Sequence, residues 1–185
     1  VLFFNVILVT ICLRVVFTAI ILWSAFMVVA LSGSFMDTEE AQPAEYYALM
    51  LFSLVGAIMM VGFENLIMLF VGVEILSVAM YVLTGSDKRN LRSNEAALKY
   101  FLMGAFATGI MLFGMALLYG ATGSFTIAGI GAYAANQQGL SLLLYVGLLM
   151  LLIGLLFKVS AAPFHFWTAD VYDGSPPFLP PFFYT

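Results

Sequence analysis

The stretch LSLLLYVGLLMLLIGLLFKVSAAPFHFW, residues 140–167, is long and apolar enough to cross a membrane, yet it carries a lysine and a proline. About 20 apolar residues cross the hydrocarbon core of a bilayer as a helix. Lys158 lies well inside this run, where a charged side chain costs roughly 2.5 to 3.5 kcal/mol. Pro163 lacks a backbone donor, and its ring crowds the carbonyl of Val159. The stretch therefore predicts a spanning helix that is interrupted between Val159 and His165.

The composition of the whole chain is that of an integral membrane protein. Of its 185 residues, 64% are hydrophobic and 9% are charged, whereas soluble domains carry about 25% charged residues. The net charge of −4 argues against a nucleic-acid partner. One cysteine excludes an internal disulfide or a cysteine cluster, and one histidine makes a histidine metal site unexpected. We expect a single membrane domain over residues 1–185 that contacts the lipid bilayer.

Five apolar runs are candidate transmembrane helices. They lie near residues 15–35, 46–63, 66–84, 97–119 and 140–167. A very short turn at Glu64–Asn65 predicts that the second and third form an antiparallel hairpin, whereas residues 120–139 are expected to form a long uncharged linker. Glycine and alanine recur in these runs and predict close helix packing. The expected fold is all-α, a polytopic bundle of membrane helices with one broken helix.

The positions of lysine and arginine predict how the bundle is oriented. The loop at residues 85–96 holds three of the six basic residues, and the other loops between the runs hold none. Basic residues are enriched in cytoplasmic loops, so this loop is expected on the cytoplasmic side. Counting spans puts the acidic linker 36–45 on the same side, with Glu64–Asn65 and residues 120–139 outside.

A carboxyl group, Glu74, lies near the centre of the third run. It is either a structural carboxyl, protonated or hydrogen-bonded to a neighbouring helix, or a functional group, because charges inside the membrane are costly. No acid lies near Lys158 in sequence, so its partner must come from another helix, and Glu74 is the best candidate. Burial disfavours the charged form of such groups and an opposite charge favours it. A Glu–Lys pair whose separation changes would therefore have a switchable proton affinity.

Further polar residues are candidates for a proton path. Lys99 follows Glu95 by four residues, the favourable order for a helical ion pair, so it is either a locally paired interfacial lysine or part of the path. His165, beside the predicted break, is either structural or a proton carrier near pH 7. Asp170 and Asp173 are expected at a cytoplasmic exit or at the cap of a following helix. No dinucleotide-binding or phosphate-binding motif and no haem or cluster ligation is present, so we expect no redox centre in this chain.

Several stretches together resemble the antiporter-like membrane subunits of respiratory complex I, in particular the subunit N family of proton-translocating NADH–quinone oxidoreductases. They are EYYAL at 45–49, LFVGVEILS at 69–77, EAALKYFLMGAF at 95–106, LYGATG at 118–123, FKVSAAPFHFW at 157–167 and DVYDG at 170–174. The resemblance implies that Glu74 and Lys158 form the proton-channel pair and that Lys99 belongs to the path. It also matches His165 to the histidine of the family's Pro-Phe-His motif.

The resemblance further implies a fold of two inverted five-helix repeats. This chain would cover most of the first repeat, as a fragment of a larger protein. Ala169 stands where the family usually has proline, which we expect to change only the local structure. NADH and quinone would be used by the whole complex, with no cofactor in this chain. Its partners would be other membrane and peripheral subunits, and we expect a bacterial inner membrane rather than an organelle.

Two alternatives stay open at the level of sequence. The first is a subunit of a cation/proton antiporter or of a membrane-bound hydrogenase complex, since these share the glutamate and the Lys…Pro-Phe-His-x-Trp element. The continuation DVYDG favours the oxidoreductase subunit. The second alternative is a non-catalytic membrane scaffold whose intramembrane charges are structural.

Overall fold

The computed structural model describes residues 2–36, 43–136, 141–176 and 179–180, and these residues form helices and loops without a β-strand. The helices are, in chain order, α1 (Leu2–Met36), α2 (Pro43–Val61), α3 (Leu66–Thr84), α4 (Leu91–Thr122), α5 (Ile127–Asn136), α6 (Leu142–Lys158) and α7 (Phe166–Gly174). The predicted all-α helical bundle is confirmed. Most of the acidic linker 36–45 lies outside the described residues.

Within the described residues, four helices are long and apolar enough to cross a membrane. They are α1, over Val9–Gly33, and the whole of α2, α3 and α4. α4 extends beyond the predicted run at both ends because both ends are capped. The Asn90 side chain accepts a hydrogen bond from the backbone N–H of Arg92 at 3.0 Å, and Gly123 ends the helix with a left-handed φ of 70°.

The second and third spans form the expected hairpin. Asn65 caps α3, its side chain accepting from the backbone N–H of Ile67 at 2.9 Å. The two helices approach closely at Gly56 and Gly72. A Cβ on Gly56 would lie only 2.6 Å from the Gly72 carbonyl oxygen, so glycine is needed there. At the turn, Glu64 accepts a hydrogen bond from Arg14 of α1 at 2.8 Å. This pair is largely exposed, so it adds little to stability.

α3 is the most deeply buried of the four long helices and carries apolar side chains into two clusters. One cluster joins it to α1 and α2 through Ala25, Tyr46, Met50, Met80 and Leu83. The other joins it to α4 and α6 through Leu66, Leu69, Val73, Met111, Met115, Leu118 and Leu144. Polar side chains on α3 are therefore held between helices at fixed positions.

The predicted linker over residues 120–139 contains a short helix that the sequence did not indicate, α5. The backbone N–H of Ile127 donates to the Glu64 carbonyl at 3.1 Å, and that of Leu66 donates to the Phe125 carbonyl at 3.0 Å. The Thr126 hydroxyl oxygen accepts from the backbone N–H of Gly129 at 3.1 Å and so caps the new helix. Glycines inside this short segment lower its intrinsic helix propensity, and contacts with the hairpin turn compensate.

The predicted interruption beside Lys158 is confirmed, since α6 ends at Lys158 and α7 begins at Phe166. Ser160 has a left-handed φ of 54°. Its N–H donates to the Phe157 carbonyl at 3.1 Å, and the Ala161 N–H donates to the Leu156 carbonyl at 2.9 Å. These two hydrogen bonds form a Schellman motif, which closes α6 one residue after Lys158. Lys158 is thus fixed at the last turn of its helix.

Candidate functional site

Three polar side chains lie along one face of α3. Glu74, Ser77 and Tyr81 are spaced by three and four residues, and residues at this spacing share a helix face. Ser77 and Tyr81 are buried, and Glu74 is half-buried. The face they share is turned toward the end of α6.

Lys158 lies opposite this face. Its Nζ atom donates to Ser77 Oγ at 2.9 Å and to Tyr81 Oη at 3.0 Å. The distance from Nζ to Glu74 Oε1 is 3.9 Å. The side chains of Lys158 and Glu74 are 14% and 31% exposed, so the two opposite charges share one partly dry space between helices, as the sequence predicted. The end of α6 also favours a cation, because helix carbonyls carry partial negative charge there.

A third helix completes the site. The Thr108 hydroxyl, on α4, donates to Glu74 Oε1 at 2.8 Å, and Thr108 is only 8% exposed. The charge pair therefore lies where α3, α4 and the end of α6 meet. Thr108 was missed by the sequence reasoning, since a single threonine in an apolar run carries no signal that distinguishes it from a threonine bonded to its own helix.

Lys99 belongs to a separate polar cluster toward the start of α4. Its Nζ contacts Glu95 Oε1 at 2.8 Å, the predicted helical pair, and Asp170 Oδ2 of α7 also at 2.8 Å. The link to Asp170 was missed, because 71 residues separate the two side chains. Together with Arg92, Asp173 and neighbouring small residues they line a cavity of about 180 Å³. The ion pairs are roughly half exposed, so solvent screens their contribution to stability.

His165 contacts neither the Glu74–Lys158 site nor the cluster around Lys99 through a hydrogen bond or ion pair among the described residues. It occupies the position just before α7, makes no capping hydrogen bond with its side chain, and is exposed. The proton-path role of His165 remains a prediction, as do the roles of Glu74, Lys158 and Lys99.

The chain is similar in sequence and in fold to known proteins. Residues 64–182 match the family described as "NADH:quinone oxidoreductase/Mrp antiporter, TM". NADH-quinone oxidoreductase subunit N from Flavobacterium psychrophilum is 47% identical over 162 residues, which cover 88% of this chain and 35% of that protein. The subunit N protein from Cytophaga hutchinsonii is 51% identical over 146 residues, covering 79% of this chain and 31% of that protein.

A solved structure agrees with these relatives. A chain of respiratory complex I from Thermus thermophilus with bound aureothin is 38% identical and superposes with a TM-score of 0.77, covering 94% of this chain and 36% of that chain. The chain belongs to the NADH:quinone oxidoreductase/Mrp antiporter transmembrane family, as its motifs indicated. It spans about a third of the length of the relatives it matches. Its apolar helices and bacterial relatives fit an integral protein of the bacterial inner membrane.

Proposed function

We propose that this chain forms part of a proton-translocating membrane subunit of a respiratory NADH–quinone oxidoreductase. The observation that carries the proposal is the Glu74–Lys158 pair, 3.9 Å apart where α6 is interrupted between membrane helices. Charged side chains inside the membrane are costly and rare, and they mark the pathways of ions and protons. The similarity to subunit N relatives supports the oxidoreductase over other proteins that move ions.

In the proposed mechanism, changes in the separation of Glu74 and Lys158 load and release a proton. An ammonium close to a carboxylate holds its proton more tightly, whereas separation in a low dielectric favours the neutral forms. When the pair separates beyond the 3.9 Å of the structure, the Lys158 ammonium releases a proton toward the outer side and becomes a neutral amine. A proton from the cytoplasmic side, supplied by way of the cluster around Lys99, then restores the ammonium.

The energy for this cycle would come from other subunits. We propose that NADH and quinone react elsewhere in the complex and that this chain holds no redox cofactor. Its partners would then be the neighbouring membrane subunits and, through them, the peripheral subunits that transfer electrons. Electron transfer would act on Glu74 and Lys158 only by shifting helices, water or charge around them.

Purification of the full-length chain tests this assignment. We expect a tagged full-length chain, extracted in mild detergent, to copurify with the electron-transferring subunits. After reconstitution in vesicles, the purified assembly should acidify one side of the membrane when NADH and a quinone are supplied. Copurification only with subunits of a cation/proton antiporter, without NADH-driven proton movement, would contradict the assignment.

The second candidate is a subunit of a cation/proton antiporter. The family description, which names both the oxidoreductase and the Mrp antiporter, favours keeping it. Such an assembly would exchange protons for sodium or potassium when a cation gradient is imposed, without any NADH. Cation-dependent proton movement in vesicles that contain no redox subunits would therefore support this candidate against the first.

A further inference from the structure

We propose that Ser77 and Tyr81 are positioning residues that hold the Lys158 ammonium close to Glu74 but without a direct hydrogen bond to it, so that the charge pair rests 3.9 Å apart. The inference rests on the proposed function and deepens it, because it assigns the resting state of the pair to two neutral hydroxyl groups. In this state Lys158 is docked at a site of its own on α3, and Glu74 is reached only by movement of the ammonium.

The distances around Lys158 Nζ carry the inference. An N–H···O hydrogen bond joins heavy atoms about 2.7–3.2 Å apart. The contacts to Ser77 Oγ and Tyr81 Oη, at 2.9 and 3.0 Å, fall in this range, whereas the contact to Glu74 Oε1, at 3.9 Å, does not. Two of the three ammonium donors are therefore used by neutral hydroxyls. The attraction between the opposite charges remains, but a direct hydrogen bond between them is absent.

The Glu74 carboxylate is also bound by a neutral hydroxyl, which comes from α4. Thr108 Oγ1 donates to Glu74 Oε1 at 2.8 Å, and this is the same oxygen that lies 3.9 Å from Lys158 Nζ. Each charge is thus hydrogen-bonded to a neutral group rather than to its opposite. A movement of the ammonium by about 1 Å would produce a direct, charge-assisted bond, so the pair lies close to closure.

Packing fixes the Tyr81 hydroxyl in place. Its ring meets the Tyr100 ring edge-on, with centroids 4.6 Å apart, and the Phe101 ring at 5.8 Å. The hydroxyl reaches across to Gly104 on α4, where a Cβ would collide with it. Only glycine at this position leaves room for the hydroxyl. With Tyr81 7% and Ser77 2% exposed, the docking site is rigid and shielded from bulk solvent.

The experiment removes the hydroxyls and keeps the shapes of the side chains. Tyr81→Phe, Ser77→Ala and the double variant are introduced into the full-length chain within the intact complex. Tyr119→Phe is the matched control, because Tyr119 also lies on a membrane helix, stacks on Phe125, and is 46% exposed at a distance from the pair. The two readouts are the Nζ–Oε distance from cryo-electron microscopy and the protons moved per NADH oxidised.

We expect the ammonium in the double variant to close on Glu74, with the Nζ–Oε distance falling from 3.9 Å to about 2.8 Å. Protons moved per NADH should fall by at least about twofold, because a hydrogen bond to a charged group that set the resting position has been lost. Each single variant should show a smaller change in the same two quantities, so the inference can be tested even if the double variant does not assemble. Tyr119→Phe should match the unmodified complex.

A Lys158 ammonium that stays 3.9 Å or more from Glu74 in these variants, or unchanged pumping in all of them, overturns the inference. The proposed function is tested separately by the Glu74→Gln variant, and normal pumping by that variant would contradict it. If Glu74→Gln abolishes pumping while the hydroxyl variants pump normally, only the positioning role of Ser77 and Tyr81 is lost. A purely structural role for the two hydroxyls would lower stability without shortening the Lys158–Glu74 distance.

Discussion

Hydroxyl groups surround both charges at the centre of this protein. Ser77 and Tyr81 bind the ammonium of Lys158, and Thr108 binds the carboxylate of Glu74. A hydroxyl both donates and accepts, so it can satisfy either charge without adding a charge of its own. Such groups make burial of the pair tolerable and leave its separation free to change.

Thr108 provides the residue-scale prediction. Thr108→Val keeps the shape of the side chain but removes the donor to Glu74, and a hydrogen bond to a charged group contributes about 1.5–3 kcal/mol. Without this donor, the Glu74 side chain should leave its present position roughly tenfold or more often. We therefore expect the number of protons moved per NADH to fall. Thr108→Ser retains the hydroxyl and should pump close to normally. Equal pumping by the valine and serine variants would show that the hydroxyl is not needed.

At the scale of elements, glycines set how closely α4 and α6 cross. A Cβ on Gly114 would lie 2.6 Å from the Leu151 backbone nitrogen and 2.8 Å from the Gly147 carbonyl oxygen. A Cβ on Gly154 would lie 2.6 Å from Met111 Cβ. Small residues allow this approach where no hydrophobic effect drives helices together in lipid. The crossing brings the end of α6, and with it Lys158, against the face of α3.

The crossing predicts a contrast between two glycines on the same helix. Gly114→Ala forces a methyl group against the backbone of α6, which cannot move aside as a flexible side chain would. Overpacking of this kind costs about 1–3 kcal/mol, and we expect a lower thermal unfolding midpoint of the purified complex. Gly109→Ala is the control, since nothing lies within 4 Å of its added Cβ. The same loss of stability in both variants would show that the close crossing at Gly114 does not cause it, since the higher helix propensity of alanine would by itself stabilise both.

The elements differ in how far the sequence determines them. The break beside Lys158 was predictable because Pro163 removes a donor inside an apolar run, and the partnership of Glu74 with Lys158 followed from the scarcity of charge in the membrane. α5 was not predictable from local propensity, since backbone contacts with a distant hairpin turn hold it. The link between Lys99 and Asp170 likewise depends on how α7 packs on α4, and neither helix encodes that packing alone.

At the scale of the whole molecule, loops distant in sequence gather at two ends of the bundle. Asn65 pairs with Thr126 in an isolated β-bridge, which joins the α2–α3 turn to the segment before α5. At the other end the Ser93 hydroxyl donates to the Thr84 carbonyl at 2.7 Å, and Gly174 packs against Ala96. This grouping agrees with the predicted alternation of spans, whereas the side of the membrane on which each end lies is still a prediction.

Labelling with a membrane-impermeant thiol reagent tests that orientation. In a Cys12→Ser background, Lys88→Cys should react only when the cytoplasmic side is accessible, and Ala135→Cys only from the outer side. Both positions are exposed in the structure, so differences in burial do not explain a difference in reactivity. The physical reason is the retention of basic loops in the cytoplasm. Labelling of both positions from one side, or with the sides exchanged, would contradict the topology.

The number of protons moved per NADH by the intact complex in vesicles decides whether Glu74 and Lys158 move protons as a pair, as we propose. An opposite charge at this distance changes the proton affinity of its partner by roughly tenfold or more, so Glu74→Gln and Lys158→Ala, which remove that effect, should each lower the number of protons moved at least roughly tenfold. The subunits should remain assembled. Glu64→Gln and Lys88→Ala, which alter exposed charges at the two ends of the bundle, should pump normally. Normal pumping by both Glu74→Gln and Lys158→Ala, in complexes with the full set of subunits, would contradict the account.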